Sequence, residues 1–389
     1  MRDLSAARPS LAELHRQLES EGLLAHPKDY TALISALGHG RAWHEAVALL
    51  GVMRDRGLQP NVVTFSALVT ACSGASQTGL ALALFEEMQR YGVEPNVVAY
   101  SAAVTACEKG HHWQRSLDLL ALMRLRRTEP TSVTYSAAIS ALATCGQWVG
   151  AMQLFRDMEL RSVAPNVITY NSAINACEKG QQWDLALGVL SQMRPGCIGP
   201  DVVTYSSAIS ACEKAREWAR ALALFAEMPE RGVEANVVAY SSAICACSRG
   251  ALWTEALWLL QALRWRQLVP DLIAYNATLG ACEASQRWEE ALSLFQTLQG
   301  HGYTPSHITY NTTISTCLKS GRYHQVPQLV ESMQAQRLEP DSKANMAMIE
   351  ALWQTGSTGQ ALTAFRGSAQ EGPGGGPLDW LADLEGRRR

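Results

Sequence analysis

Apolar residues along this chain recur in two alternating patterns. Between Val62 and Gly74, Phe65, Val69 and Cys72 fall at spacings of four and three, which puts them on one face of a 3.6-residue helix. After a short polar break, "LALALFEEM" (residues 80 to 88) forms a second amphipathic stretch, and Pro95 is expected to stop it. Neither helix can bury its apolar face alone.

The pair of patterns returns every 35 residues. Asn61, Asn96, Thr131, Asn166, Asp201, Asn236, Asp271, Ser306 and Asp341 mark the register, each 35 after the last. Units ending on these residues give nine full repeats, 27 to 61 through 307 to 341. Within a unit, position 4 is aromatic (Tyr30, Phe65, Tyr100, Tyr135, Tyr170, Tyr205, Tyr240, Tyr275, Tyr310), position 8 is aliphatic and position 11 is mostly Cys. A second helix opens near position 17, usually Trp, and position 34 is usually proline. Neighbouring units must therefore stack. The prediction is an all-α, right-handed superhelical α-solenoid of helix-turn-helix repeats. Residues 1–26 fit the second half of a repeat, as a partial repeat or N-terminal cap, because Gly22 lies 35 before Gly57. Residues 342–366 form a degenerate tenth repeat or C-terminal cap. Residues 367–389, with "EGPGGGP", read as a flexible tail.

The first helix carries a second stripe, apart from the core face. Positions 2, 5, 9 and 13 fall within one sector on a 3.6-residue helix. Position 2 is aliphatic: Val63, Val98, Val133, Ile168, Val203, Val238, Ile273 and Ile308. Position 5 is a short hydrogen-bonding residue: Thr31, Ser66, Ser101, Ser136, Asn171, Ser206, Ser241, Asn276 and Asn311. Position 9 is nearly always small, as in Thr70, Ser140 and Gly280, and position 13 is often basic: Lys109, Lys179, Lys214, Arg249 and Lys319. A merely solvated face favours Glu, Lys and Gln over a row of Val and Ile.

Composition narrows the partners. Hydrophobic residues make up 47% and charged residues 18%, and no apolar run approaches the roughly 18 residues a membrane helix needs. The chain reads as soluble and folded, one continuous body without an interdomain linker. A formal net charge of -3 gives no global pull toward nucleic acid or acidic membrane, so any polyanion site is local. Arg2, Arg8 and Arg16 are offset by Asp3, Glu13, Glu19 and Glu21, whereas transit peptides are poor in acids; no presequence is visible.

With "VVTYSxxISACEKxxxWxxALxLFxEMxxxGVxPN" repeated in register, the chain resembles the pentatricopeptide repeat proteins, specifically the P-type with 35-residue units, over about residues 10 to 366. The tetratricopeptide period of 34 and the ankyrin period of 33 do not fit. The resemblance implies recognition of single-stranded RNA, one base per repeat. Positions 5 and 35 would name the base, and the position-2 aliphatics would sandwich it. Lysine or arginine at position 13 suits a phosphate. Thr31 with Asn61, Ser66 with Asn96, Ser136 with Asn166 and Ser206 with Asn236 resemble adenine readers. Asn171 with Asp201 and Asn311 with Asp341 resemble uracil readers, Ser241 with Asp271 a guanine reader, and Asn276 with Ser306 a cytosine reader. Ser101 with Thr131 is not a standard pair. The implied target, 5′ to 3′ from the N-terminal repeat, is A-A-N-A-U-A-G-C-U.

Several positions depart from the pattern. Lys28 and Lys343 replace the aliphatic at position 2, Met346 stands at position 5 of the tenth repeat, and Gly74, Thr144 and Ala284 replace the position-13 cation. "RPGCIGP", residues 194 to 200, predicts a shortened second helix, and Ala235 replaces the usual proline. Cys72, Cys107, Cys177, Cys212, Cys247, Cys282 and Cys317 share position 11. Equivalent positions of stacked helices lie roughly 10 Å apart, too far for disulfides, so these are read as small core residues. Cys245 and Cys247 lack a second pair at zinc spacing. The position-17 tryptophans (Trp43, Trp113, Trp148, Trp183, Trp218, Trp253, Trp288) are read as packing residues ahead of a stacking ladder for bases. His111 and His112 receive no role.

No deaminase signature, phosphate-cradling glycine loop or nucleophile motif is visible, so no enzymatic activity, cofactor or metal is expected. The expected partner is single-stranded RNA, bound by a monomer that recruits other proteins for any chemistry, in a mitochondrion or chloroplast by family resemblance. The alternative is a protein-binding scaffold that holds a peptide in the same groove.

Overall fold

Helix boundaries follow the 35-residue register. In a computed structural model, residues 26–39, 42–193 and 198–356 are described. Among them the first helices of successive repeats are α1 (Pro27–His39), α3 (Val62–Gly74), α5 (Val97–Lys109), α7 (Ser132–Thr144), α9 (Val167–Lys179), α11 (Val202–Lys214), α13 (Val237–Arg249), α15 (Leu272–Ala284), α17 (His307–Lys319) and α19 (Ser342–Gln354). The second helices are α2 (Trp43–Asp55), α4 (Thr78–Arg90), α6 (Trp113–Leu125), α8 (Trp148–Leu160), α10 (Trp183–Met193), α12 (Trp218–Glu230), α14 (Trp253–Trp265), α16 (Trp288–Gly300) and α18 (Gln325–Ala335). No strand occurs among the described residues. The fold is an all-α solenoid of helix-turn-helix repeats.

The chain divides into two compact units, 1–211 and 212–389. One continuous body was the expectation. The division falls inside α11, away from any linker, as a stack whose members touch only their neighbours permits. In the first unit α1, α3, α5, α7 and α9 pack side by side in that order, and in the second α13, α15 and α17 do the same.

The position-4 aromatics form the centre of each interface. Tyr30, Phe65, Tyr100, Tyr135, Tyr205 and Tyr310 are completely buried. Four of the tyrosines meet the phenylalanine at position 24 of the preceding repeat edge-on: Phe85 with Tyr100, Phe155 with Tyr170, Phe225 with Tyr240 and Phe295 with Tyr310, at centroid distances of 4.9 to 5.5 Å. Such pairs contribute about 0.5–1.5 kcal/mol beyond their burial.

Proline at position 34 does not stop the second helix. The helix ends at position 29 (Asp55, Arg90, Leu125, Leu160, Glu230, Trp265, Gly300), five residues earlier than the proline rule led us to expect. The stop is a left-handed residue at position 31: Gly57, Gly92, Gly232 and Gly302 at φ from 70° to 79°, and Arg127, Ser162, Gln267 and Arg337 at φ from 57° to 59°. Its neighbours close the helix, as where Leu268 N donates to Leu263 O at 3.2 Å. Ala235, which lacks the proline, follows α12 of the ordinary 13 residues. Gln267 is exposed, so Gln267→Gly is expected to stabilise the fold. Relief of roughly 1–2 kcal/mol of left-handed strain outweighs the looser unfolded chain, leaving about 0.5–1 kcal/mol. A urea midpoint that stays put or falls would contradict the assignment of the stop.

Residues 194–197 of "RPGCIGP", the leading 1–25 and the tail from 357 lie outside the described residues, so the expectations placed on them stand as stated.

Candidate nucleic-acid interface

Position 2 is the second residue of each first helix, turned away from the position-4 aromatic. Its side chains stand in the open: Val63, Val98, Val133, Ile168, Val203, Val238, Ile273 and Ile308 are 50% to 65% exposed. Exposed aliphatics at the same position of eight repeats contradict a polar solvent face. Lys28 and Lys343, which replace them at the two ends, are exposed as well.

Position 35 caps the helix that follows it. Asn61, Asn96, Asn166, Asn236, Asp271, Ser306 and Asp341 each accept a hydrogen bond from the backbone N–H three residues on, and Asp201 accepts from Thr204 N at 2.8 Å. Thr131 forms a capping box with Thr134. Asn, Asp, Ser and Thr are the residues a helix N-terminus prefers, so capping alone accounts for the narrow alphabet at position 35.

Position 5 lies deeper than the sequence stripe implied. Thr31, Ser66, Ser136, Ser206 and Ser241 are buried, at 4% to 9% exposure; beside Thr31, Ser66, Ser136 and Ser241 packs the first helix of the next repeat. Ser101, Asn171, Asn276 and Asn311 are half-buried. Position 5 nevertheless meets position 35 of the same repeat. Ser66 Oγ lies 3.0 Å from Asn96 Oδ1, Ser136 Oγ 3.3 Å from Asn166 Oδ1, and Ser241 Oγ 3.0 Å from Asp271 Oδ1. Asn171 Nδ2 donates to Asp201 at 3.2 Å and Asn311 Nδ2 to Asp341 at 2.7 Å. Thr31, Ser101 and Asn276 instead reach the threonine at position 3 of the next repeat, Thr64, Thr134 and Thr309, at 2.7 to 2.8 Å. Ser206 belongs to the first unit and donates to Val202 O at 2.6 Å; Asn236 belongs to the second. Hydrogen bonds from Asn171 and from the Thr204 backbone and hydroxyl act on Asp201. Although burial opposes it, they hold the carboxyl below its ordinary pKa.

The threonine at position 3 is the residue that sequence reasoning missed. Thr64, Thr134, Thr169, Thr204 and Thr309 are completely buried, each touching both the cap and the position-5 side chain. The available signal was a capping box with a polar residue at its third position.

One cavity shows what these groups enclose. It measures about 280 Å³ and is lined by Val63 and Val98, by Ser66 and Asn96, and by Ser35, Gly38, Ala67, Thr70 and Ala71. Two exposed aliphatics thus flank a slot that also presents a 5/35 pair.

The position-13 cations are exposed, and four of them rest on neighbouring helix ends. Lys109 Nζ donates to Ser73 O at 2.7 Å and Lys179 Nζ to Thr144 O at 3.3 Å, complementing the C-terminal dipoles of α3 and α7. Arg249 pairs with Glu213 at 3.1 Å and Lys319 with Glu283 at 2.8 Å. Part of the positive charge is already compensated.

Four of the position-17 tryptophans contact the following repeat, Trp218 while still 39% exposed. A Cβ on Gly180 would come within 2.4 Å of Trp148, and one on Gly250 within 2.9 Å of Trp218. Arg287 and Arg322 lie over Trp253 and Trp288 at 4.3 and 4.4 Å. The position-11 cysteines are buried free thiols, and desolvation pushes Cys177 to about 11 and Cys247 to about 12. Thiols held protonated in this way are inert packing residues.

The chain matches the model of the PPR repeat family over residues 30–74, 130–179, 165–214, 200–249 and 270–319, more than half its length. The Pentatricopeptide repeat domain matches residues 83–147, and the PPR repeat matches 63–93 and 308–338. A comparison with curated proteins finds no match. Among solved structures, the pentatricopeptide repeat protein PPR10 in complex with an 18-nt psaJ RNA element is similar at a TM-score of 0.64 and 21% identity, covering 96% of this chain and 59% of that one. PPR10 from maize is similar at a TM-score of 0.54 and 20% identity, covering 97% and 64%. The chain therefore spans about three fifths of the length of these two PPR10 structures.

Proposed function

The chain belongs to the pentatricopeptide repeat family, and from that premise we propose that it binds single-stranded RNA sequence-specifically, one base per repeat. The observation that carries the reading is the slot at Val63 and Val98, where exposed aliphatics flank a hydrogen-bonding pair, Ser66 with Asn96. A base has two apolar faces and a polar edge, and the slot offers a partner to each. The similar PPR10 structure in complex with an RNA element supports the same reading.

Capping removes one argument against a peptide groove, since the alphabet at position 35 has a structural cause. It leaves the row of exposed position-2 aliphatics unexplained, and sandwiched bases explain it. The assigned pairs and the order A-A-N-A-U-A-G-C-U are part of the proposal. So are nine repeats over 27–341 with caps on either side, action in an organelle, and a role in RNA processing, stabilisation or translation without a catalytic step of its own.

A register swap tests the assignment of the base readers. Asn171→Ser recreates with Asp201 the Ser–Asp combination of Ser241 and Asp271. The preference at the fifth nucleotide is expected to move from uracil to guanine by about tenfold, the scale of one or two exchanged base hydrogen bonds. An unchanged preference in a variant that still binds would remove position 5 from the code.

A further inference from the structure

Position 3 decides what position 5 can offer. Ser306 N–H donates to Thr309 Oγ1 at 3.1 Å, and Thr309 Oγ1 donates onward to Asn276 Oδ1 at 2.7 Å, a shorter contact than its 3.0 Å to Ser306 Oγ. With its one hydrogen on Asn276 Oδ1, the Thr309 hydroxyl keeps the amide oxygen turned toward itself. With Oδ1 engaged, Asn276 has only its Nδ2 hydrogens left for a base. Thr204 lies likewise 2.6 Å from Asn171 Oδ1, but its one hydrogen is shared with Asp201 Oδ1 at 2.8 Å and Asn171 Nδ2 is itself engaged by Asp201 at 3.2 Å, so Asn171 keeps no such free donor. Where position 3 is alanine the arrangement is incomplete. Asn311 Nδ2 reaches Asp341 at 2.7 Å, but Asn311 Oδ1, beside the repeat that carries Ala344, is buried without a hydrogen-bond partner.

We propose that the buried threonine at position 3 is a third determinant of base choice, a positioning residue that fixes which end of the preceding position-5 amide faces the RNA. The inference rests on the RNA-binding reading above. At Asn276 the consequence is chemical. A fixed Nδ2 donor matches the N3 and O2 acceptors of cytosine, whereas a flipped amide would present Oδ1 to the N3–H of uracil. Thr309 is completely buried and never touches the base, so it acts through the amide alone.

The test uses the full chain and the RNA 5′-AAGAUAGCU-3′ with its eighth nucleotide as C or U. Wild type is expected to prefer C. Thr309→Val removes the hydroxyl at constant shape and is expected to cut the C-to-U affinity ratio by about 2- to 10-fold, the weight of one neutral hydrogen bond. Thr309→Ser is expected to keep the ratio. A purely structural threonine would instead weaken binding to both RNAs equally, and that result would overturn the proposal. Ala344→Thr guards against a valine variant that fails to fold. It supplies the missing hydroxyl beside Asn311 Oδ1 and is expected to raise discrimination at the ninth nucleotide by a similar factor, and no change there would count against the proposal. If wild type binds but the ratio ignores Thr309, base reading survives and this inference falls. If wild type binds none of the RNAs, both fall together.

Discussion

Replacing Val63 and Val98 together by aspartate is expected to lower affinity for the matched RNA by about 100-fold or more. Each sandwiched base contributes about 1–3 kcal/mol by analogy with other stacked bases. The two valines flank the same slot, and the new carboxylates also repel the phosphate backbone. Both side chains are more than half exposed, at 52% and 56%, and both lie in the first turn of a helix, where a negative charge complements the dipole. Fold and thermal midpoint should therefore survive. A double variant that binds as wild type does would show that the aliphatic row is not the contact surface.

Tyr100→Ala is expected to cost about 3–5 kcal/mol, the range for deleting a large aromatic from a packed interior. Tyr100 is completely buried and meets Phe85 edge-on at 5.2 Å, so its loss opens the interface between consecutive repeats. The hydroxyl tells a different story. Tyr100 Oη is buried without a hydrogen-bond partner, and burial raises the pKa of the phenol. Tyr100→Phe removes an unsatisfied group and should be neutral or stabilising by up to about 1 kcal/mol. Urea unfolding separates the two variants. A costly Tyr100→Phe would mean that the hydroxyl has a partner after all.

Much of this architecture was written in the register. A 35-residue period with aromatics at position 4 and small residues at position 11 fixes two helices per unit and the faces they bury, because helical periodicity allows no other assignment of so regular a pattern. Local backbone chemistry was harder to see. Proline at position 34 looked like the stop, yet the helix ends five positions before it and is closed by a left-handed residue at position 31, a conformation that Arg127 and Gln267 adopt without the glycine that would have advertised it. The candidate site divides in the same way. Position 2 is exposed as the pattern implied, whereas position 5 is half or wholly buried because a neighbouring helix, absent from any single-helix projection, covers it. Position 35 is a base reader by family resemblance, and the caps give its narrow alphabet a structural cause as well. Thr204 and Thr309 were invisible as participants because their role depends on side chains 33 residues away.

The central claim is that a single-stranded sequence is read in register. It is tested most directly by titrating the purified chain with 5′-AAGAUAGCU-3′ RNA, its scrambled version, the DNA equivalent and the duplex, at two salt concentrations. The matched RNA alone should bind tightly. Three to five phosphate contacts at roughly 0.7 each predict a log–log salt slope between about -2 and -3.5, the shallower limit applying if Arg249 and Lys319 stay paired with Glu213 and Glu283. Equal binding of matched and scrambled RNA, or no binding of either by a folded helical protein, would contradict the account and turn attention to a peptide in the same slot.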